Sequence, residues 1–440
     1  MSERKEAATP HSPMRRVLGN FGFLIRGRGV AAVMSFGATT LMARALGPAE
    51  FGVVMLIQAY ALLVRGLLNF RPFEAVVRYG VPLHDAGDHV ALRRLIGIGR
   101  WVDRRAALVA TAVALLAAPV VGQTLRLEHS QTLLMMGYCV VLLATGNGTA
   151  NGILRLFDQF DTLGRQMAIG PTIRFVGVVL AWWLGGPLLV FVAIWALAYA
   201  TENVYLSWRG WQEYRKRVGP PAIGENPREA RIAEFDGLKR FLWVTYWQSN
   251  LDMVPKHIST LLAGWLLGTA EAGLLRLARE LSSLLAKPAA LIRQVVFLDL
   301  TRSWHQGSAA FDVIAYRTAL LGGGFGLLFV AAAAFGGNAL LSHLIGAKFA
   351  AAAPVLTLML LAATFDLTGS SLRSAAYAIG RAGTVLRMYA VSAGVYLALF
   401  VALTQWLGLI GAGVAACVSA ALPLLGMIWL IRTSARNPPA

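Results

Sequence analysis

Charge is the scarcest thing in this sequence: Asp, Glu, Lys and Arg together make up only 14% of its 440 residues. A water-soluble domain carries about 25%, and a chain with so little polar surface cannot coat a globule. With 57% hydrophobic residues and a mean hydropathy of +0.60, it needs lipid as solvent. That excludes the soluble classes and predicts an all-α polytopic membrane protein. Cysteine is nearly missing too. Cys139 and Cys417 both lie in apolar runs, where they read as packed helix residues rather than as a disulfide or metal site. The chain has no G-x-x-x-x-G-K-[ST], no H-E-x-x-H and no G-x-S-x-G. An ATPase, a zinc hydrolase and a nucleophile elbow are therefore not expected, and neither enzymatic activity nor a cofactor is assigned. Residues 1–13 are polar and lead into Arg15 and Arg16 without a short apolar core, so no removable signal peptide is expected.

What the chain does have is apolar runs. They fall at 21–46, 50–70, 101–122, 131–154, 166–184, 187–208, 241–267, 271–298, 314–336, 350–372, 384–407 and 410–431. Each is near the length of a membrane-spanning helix, about 20 residues, which predicts twelve spans, six per half. Small residues such as Gly146, Gly148 and Gly152 sit within the fourth run, where they would let helices approach closely.

The connections alternate in charge. Arg and Lys crowd one set: the N-terminus, 71–105, 155–165, the central interval, 293–317, 373–387 and the C-terminus. The opposite set is nearly bare, with only Arg126 and Lys348. By the positive-inside rule both termini and the central interval are cytoplasmic. The net charge of +18 is thereby explained by topology, and no nucleic-acid partner is expected. Arg215, Lys216 and Arg217 read as an interfacial anchor.

The halves also echo each other. Leu46-Gly47-Pro48-Ala49-Glu50-Phe51-Gly52 and Leu267-Gly268-Thr269-Ala270-Glu271-Ala272-Gly273 share Leu, Gly, Ala, Glu and Gly at the same relative places. Trp183-Leu184-Gly185 and Trp406-Leu407-Gly408 close corresponding runs. This is the mark of a duplication. Six spans per half make the repeats parallel, so two pseudo-symmetric lobes should surround a central cavity. The expected division is a segment 1–20, a lobe 21–208, a linker 209–240, a lobe 241–431 and a tail 432–440. Pro48 suits a first helical turn, and Glu50 and Glu271 oppose the positive ends of their helices as caps.

Ionisable residues inside spans stand out, because each costs about 2.5–3.5 kcal/mol at a helix centre unless it faces a cavity or a partner. Arg26 and Arg28 lie in the first span and Arg65 in the second. Asn250, Asp252, Lys256 and His257 lie in the seventh, Arg276, Arg279 and Glu280 in the eighth, and Asp366 and Arg373 in the tenth. Each admits a local reading: Asp252 with Lys256 and Arg276 with Glu280 are spaced i,i+4 and can neutralise one another. As a set they predict a cationic cavity suited to an anionic cargo, since Arg grips phosphate through its planar fork.

The segment Ala43-Arg44-Ala45-Leu46-Gly47-Pro48-Ala49-Glu50-Phe51-Gly52 resembles the first turn of the polysaccharide (O-antigen and exopolysaccharide) flippases. These belong to the multidrug/oligosaccharidyl-lipid/polysaccharide exporter superfamily. Gly268 to Gly273, Ala352-Ala353-Pro354-Val355-Leu356 and Ile379-Gly380-Arg381 are similar to later parts of the same family, and the likeness covers 20–430. It implies a two-lobed transporter of the bacterial inner membrane that carries a polyprenyl-diphosphate-linked oligosaccharide by alternating access. Membrane lipid would surround it, and a polysaccharide polymerase partner stays open. On that reading Arg26, Arg28, Arg65, Lys256 and Arg276 hold the diphosphate, and Asn250 and Asp252 bind sugar hydroxyls or tune Lys256. Asp252 and Asp366 are the candidates for ion coupling. The alternative is a multidrug or organic-cation antiporter of the same superfamily, which would need those buried carboxylates.

Overall fold

The computed structural model describes residues 13–70, 72–219, 232–285 and 310–434, and among these every regular element is helical. In order they are α1 (Pro13–Leu68), α2 (Pro72–Asp85), α3 (His89–Thr124), α4 (His129–Cys139), α5 (Gly148–Leu156), α6 (Phe160–Trp183) and α7 (Leu188–Arg217). The second half follows with α8 (Leu238–Leu267) and α9, described over 269–285. It continues with α10 (Ala310–Leu344), α11 (Ala353–Ala378), α12 (Ala382–Leu407) and α13 (Leu409–Ser434).

The expected apolar runs fall on helix where they are described, the fourth excepted. Among the described residues eight stretches are long and apolar enough to cross a membrane, from Gly29–Leu68 to Leu409–Thr433. The first of these contains two arms, because α1 breaks at Gly47 (φ 73°, ψ 174°). The helices outside the eight are informative. α6 carries Gln166 and Arg174, and α8 carries Asn250, Asp252, Lys256 and His257. Polar residues lower their hydropathy, and both helices contribute to the candidate site.

The echoed turns adopt matching conformations. Gly268 (φ 107°, ψ 176°) ends α8 much as Gly47 ends the first arm of α1, in a region where a side chain would be strained. Gly185 (φ 65°) and Gly408 (φ 59°) both take positive φ where α6 and α12 end. Beside them Trp183 and Trp406 are 79% and 88% exposed, as befits an aromatic belt at the membrane interface.

The two turns meet. A methyl group on Gly52 would overlap the Thr269 carbonyl, and one on Gly273 would overlap the Pro48 carbonyl. The lobes thus touch backbone to backbone at this end. Around the contact one apolar core runs through both halves, including Met42, Phe51, Leu56, Ala263, Leu275 and Phe349, with Phe51 edge-on to Phe349 at 6.1 Å. At the basic end the lobes touch again. Tyr246 donates to the Leu67 carbonyl (2.7 Å) and stacks on Phe70 at 4.9 Å. Arg78 sits over Phe241 at 4.7 Å.

The fourth span departs from a continuous helix. After α4 the chain tightens to a 3-10 run at Val140–Thr145, then breaks at Gly146 and Asn147 before α5. Gly152 does serve close approach, to Val76 of α2, but the glycine-rich stretch also unwinds the helix. α2 is an addition: a short helix in the basic connection, with Ala75, Val76 and Gly80 buried. α7 runs on to Arg217, into the interval expected to be linker.

Candidate functional site

A chain of hydrogen-bonded polar side chains runs through the first lobe, and further polar and charged groups lie in the second. The chain starts at Arg65, on the second arm of α1, whose Nη1 donates to the Tyr199 hydroxyl at 2.6 Å. One turn further along α7, Asn203 donates to the Tyr199 carbonyl (2.7 Å) and accepts from Asn147 (2.7 Å). The break after α4 is therefore used: it frees Asn147 to reach α7. Asp103 of α3 is 3% exposed and accepts the Thr149 backbone N–H at the start of α5 (2.6 Å), where the helix dipole favours a carboxylate.

The neighbouring face of α7 presents Glu202, which accepts from Gln166 of α6 at 2.7 Å. Its carboxylate lies in the fields of Arg174 and Arg65. Arg174 stacks over Trp195 at 5.7 Å and is in turn within electrostatic reach of Arg276 on α9, so charge continues from one lobe to the other. Arg276 pairs with Glu280 at 3.6 Å, its side chain 21% exposed.

In the second lobe Arg279 is the hub. It donates to the Lys256 carbonyl (2.8 Å), to Thr260 Oγ1 (3.3 Å) and to the Tyr396 hydroxyl of α12 (3.0 Å). His257, buried beside them, senses Arg276, Arg279 and Lys256. Asp366 of α11 faces Arg373 and Lys256 electrostatically. Arg373 bonds the Tyr389 hydroxyl and lies over that ring at 4.1 Å. Three guanidinium nitrogens, Arg65 Nε and Arg373 Nε here and Arg209 Nε further along α7, are buried with no hydrogen-bond partner among the described residues. A buried charged donor without an acceptor is costly, and an anion's oxygens would supply one.

Of the residues singled out from sequence, Arg65 bonds Tyr199, Arg276 pairs with Glu280, and Asp366 lies in the field of Lys256. Asn250 sits elsewhere. It is 6% exposed, donates to the Tyr246 carbonyl of its own helix (3.0 Å) and packs by Gly66 on the α1–α8 seam. The side chains of Arg26, Arg28 and Asp252 lie outside those described. Sequence reasoning passed over Arg174, Glu202, Gln166 and Tyr199. The signal was available, since Arg174 and Glu202 are ionisable residues inside apolar runs. The expected cationic character is also qualified here, because Glu202, Glu280 and Asp366 are interleaved with the basic groups.

Residues 17–297 match the family described as polysaccharide biosynthesis protein. The inner membrane protein YghQ of Escherichia coli (strain K12) is 27% identical over 342 residues, covering 76% of this chain and 94% of that protein. The fold is shared with the lipid II flippase MurJ in an inward closed conformation (TM-score 0.74, 12% identity, 94% of this chain and 87% of that one). It is shared also with an inward-facing multidrug resistance MATE family transporter of the MOP superfamily (TM-score 0.72, 13% identity, 94% and 100%). The family match spans more than half of the sequence, and the two-lobed helical architecture is that of the superfamily's transporters. The chain belongs to the polysaccharide biosynthesis protein family.

Proposed function

We propose that this protein flips a polyprenyl-diphosphate-linked oligosaccharide across the bacterial inner membrane by alternating access, for exopolysaccharide, capsule or lipopolysaccharide assembly. Both termini lie in the cytoplasm on this reading. The lobes 21–208 and 241–431 rock about the cavity between them, joined by the linker 209–240. The observation that carries the proposal is the set of basic side chains in the two lobes, with unsatisfied guanidinium donors at Arg65 and Arg373. A diphosphate is the anion such forks hold best, and the polyprenyl tail would remain in lipid.

In this scheme Arg65, Lys256 and Arg276 hold the diphosphate, joined by Arg174 and Arg373, with Arg26 and Arg28 guiding it from the cytoplasmic side. Asp252 tunes Lys256. Asn250 acts on the seam that must part when the basic end opens. Asp366, in the fields of Arg373 and Lys256, is the carboxylate through which an ion gradient would couple.

The test is translocation in proteoliposomes, using a fluorescent polyprenyl-diphosphate saccharide and a quencher confined to the outside. Protein-dependent movement, lost on Arg65→Ala, is the expected result. Absence of movement, together with proton- or sodium-coupled uptake of organic cations, would move the assignment to a cation antiporter working through Asp366 and Glu202.

A further inference from the structure

A second polar feature lies away from the polar chain of the first lobe, in a groove of ≈ 890 Å³ between α3, the 3-10 run after α4, and α7. Its rim at the basic end of the helices carries Arg100, Arg104 and Arg215. Arg100 stacks over Trp211 at 4.6 Å, while Arg104 and Arg215 are exposed. The floor is apolar: Leu108, Leu143, Val204 and Trp208 are each 50–59% exposed, as side chains turned toward hydrocarbon would be. From Arg215 to Val204 the groove follows eleven residues of α7, about 16 Å at 1.5 Å per residue. It exists because α4 unwinds: the tightened backbone at Leu143 to Gly146 leaves room that a continuous helix would fill.

No carboxylate lines the groove. Asp103, on the same stretch of α3, is turned inward to the Thr149 amide, and Glu213 is held by Arg217 at 3.0 Å. Cations at the headgroup level above an apolar trough complement one kind of molecule. We propose that the groove is a binding site for an anionic glycerophospholipid of the leaflet at the basic end of the helices. Its phosphate sits between Arg104 and Arg215, and its acyl chains run down Leu108, Leu143, Val204 and Trp208. Trp211 with its stacked Arg100 closes the headgroup end. Basic residues at this level attract anionic lipid. The site is independent of the cargo assigned to the cleft between the lobes.

The experiment uses the purified full-length protein in detergent, with native mass spectrometry and thermal unfolding as readouts. Dioleoyl-phosphatidylglycerol should be retained as a discrete adduct and raise the unfolding temperature, and dioleoyl-phosphatidylcholine should do neither. The double variant Arg104→Gln/Arg215→Gln should weaken retention at least tenfold, with the same circular dichroism as the parent. Val204→Trp, which fills the trough and leaves the charges alone, should weaken it too. Lys239→Gln/Arg240→Gln, basic residues at the same end that do not line the groove, should retain the lipid. Equal retention of phosphatidylcholine would overturn the proposal, as would undiminished phosphatidylglycerol binding by both groove variants. Displacement of phosphatidylglycerol by equimolar polyprenyl phosphate would also overturn it, by making the groove a carrier-lipid site.

Discussion

At Gly47 and Gly268 the two lobes are built alike, with ψ of 174° and 176° and the following helices pressed together at Gly52 and Gly273. Behind those turns the resemblance ends. The first lobe gathers Arg65, Arg174, Tyr199 and Glu202 from α1, α6 and α7. The second gathers Lys256, Arg279, Asp366, Arg373 and Tyr396 from α8, α9, α11 and α12. Duplication has kept the backbone joint and replaced the chemistry. A joint must be matched on both sides to close, whereas a cargo with a charged end and a neutral end presents different chemistry to each wall.

The sharpest way to break this comparison is to strike the joint on either side. Gly52→Val and Gly273→Val each force a side chain into a carbonyl of the other lobe, at a cost of about 3 kcal/mol or more. Both should prevent closure of this end to the same degree. With Cys139 and Cys417 replaced, a Cys introduced at Ala272, now fully buried, should react with a membrane-impermeant maleimide only in the two valine variants. Labelling in one variant but not the other would show that the joint is not symmetric.

The polar clusters should respond unequally. Among the described residues Arg65 bonds Tyr199 alone and its Nε has no partner, so Arg65→Ala should abolish flipping and lower stability by only about 1–2 kcal/mol. Arg279 binds α8 to α12 through three acceptors. Arg279→Ala should lower stability by about 3 kcal/mol as well as stop transport. Thermal unfolding beside the flipping assay separates the two cases. Equal destabilisation would make both arginines structural.

How much of this was legible beforehand depends on the scale of the signal. Hydropathy and the alternation of Arg and Lys set the helices, and Gly47 and Gly268 announced the repeat, because each is written over a few neighbouring residues. Arg65, Lys256, Arg276 and Asp366 could be picked as in-span charges for the same reason. Their assembly could not. Arg174 reaches Arg276 of the other lobe only through its field, and Glu202 meets Gln166 from another helix, at separations no local window spans. The break at Gly146 and Asn147 was hidden too, since its partner Asn203 is 56 residues away and a glycine-rich apolar run also fits a straight helix.

Glu202 sharpens the comparison from the other direction. It is the carboxylate shared by Arg174 and Arg65, and it competes with any anion for those guanidinium groups. Glu202→Gln keeps the bond to Gln166 within reach and removes the competing charge. Retention of inorganic pyrophosphate by the purified protein should rise about fivefold, ~1 kcal/mol, while turnover falls because release is slower. Weaker retention would show that Glu202 positions the arginines rather than competing for them.

A last comparison separates the two hydroxyls that meet an arginine in each lobe. Tyr199 is the hydrogen-bond partner of Arg65, and Arg65 Nε already lacks one, so Tyr199→Phe leaves a buried guanidinium with less to hold it. A cost of about 2 kcal/mol is expected. Tyr396 is one of three acceptors for Arg279, and the Lys256 carbonyl and Thr260 remain when it is lost. Tyr396→Phe should therefore cost about 0.5–1 kcal/mol. Chemical denaturation of the two single variants and the double variant would measure both. If the order were reversed, Arg279 would depend chiefly on α12, and the second lobe would be held together across its helices in the way ascribed here to the first.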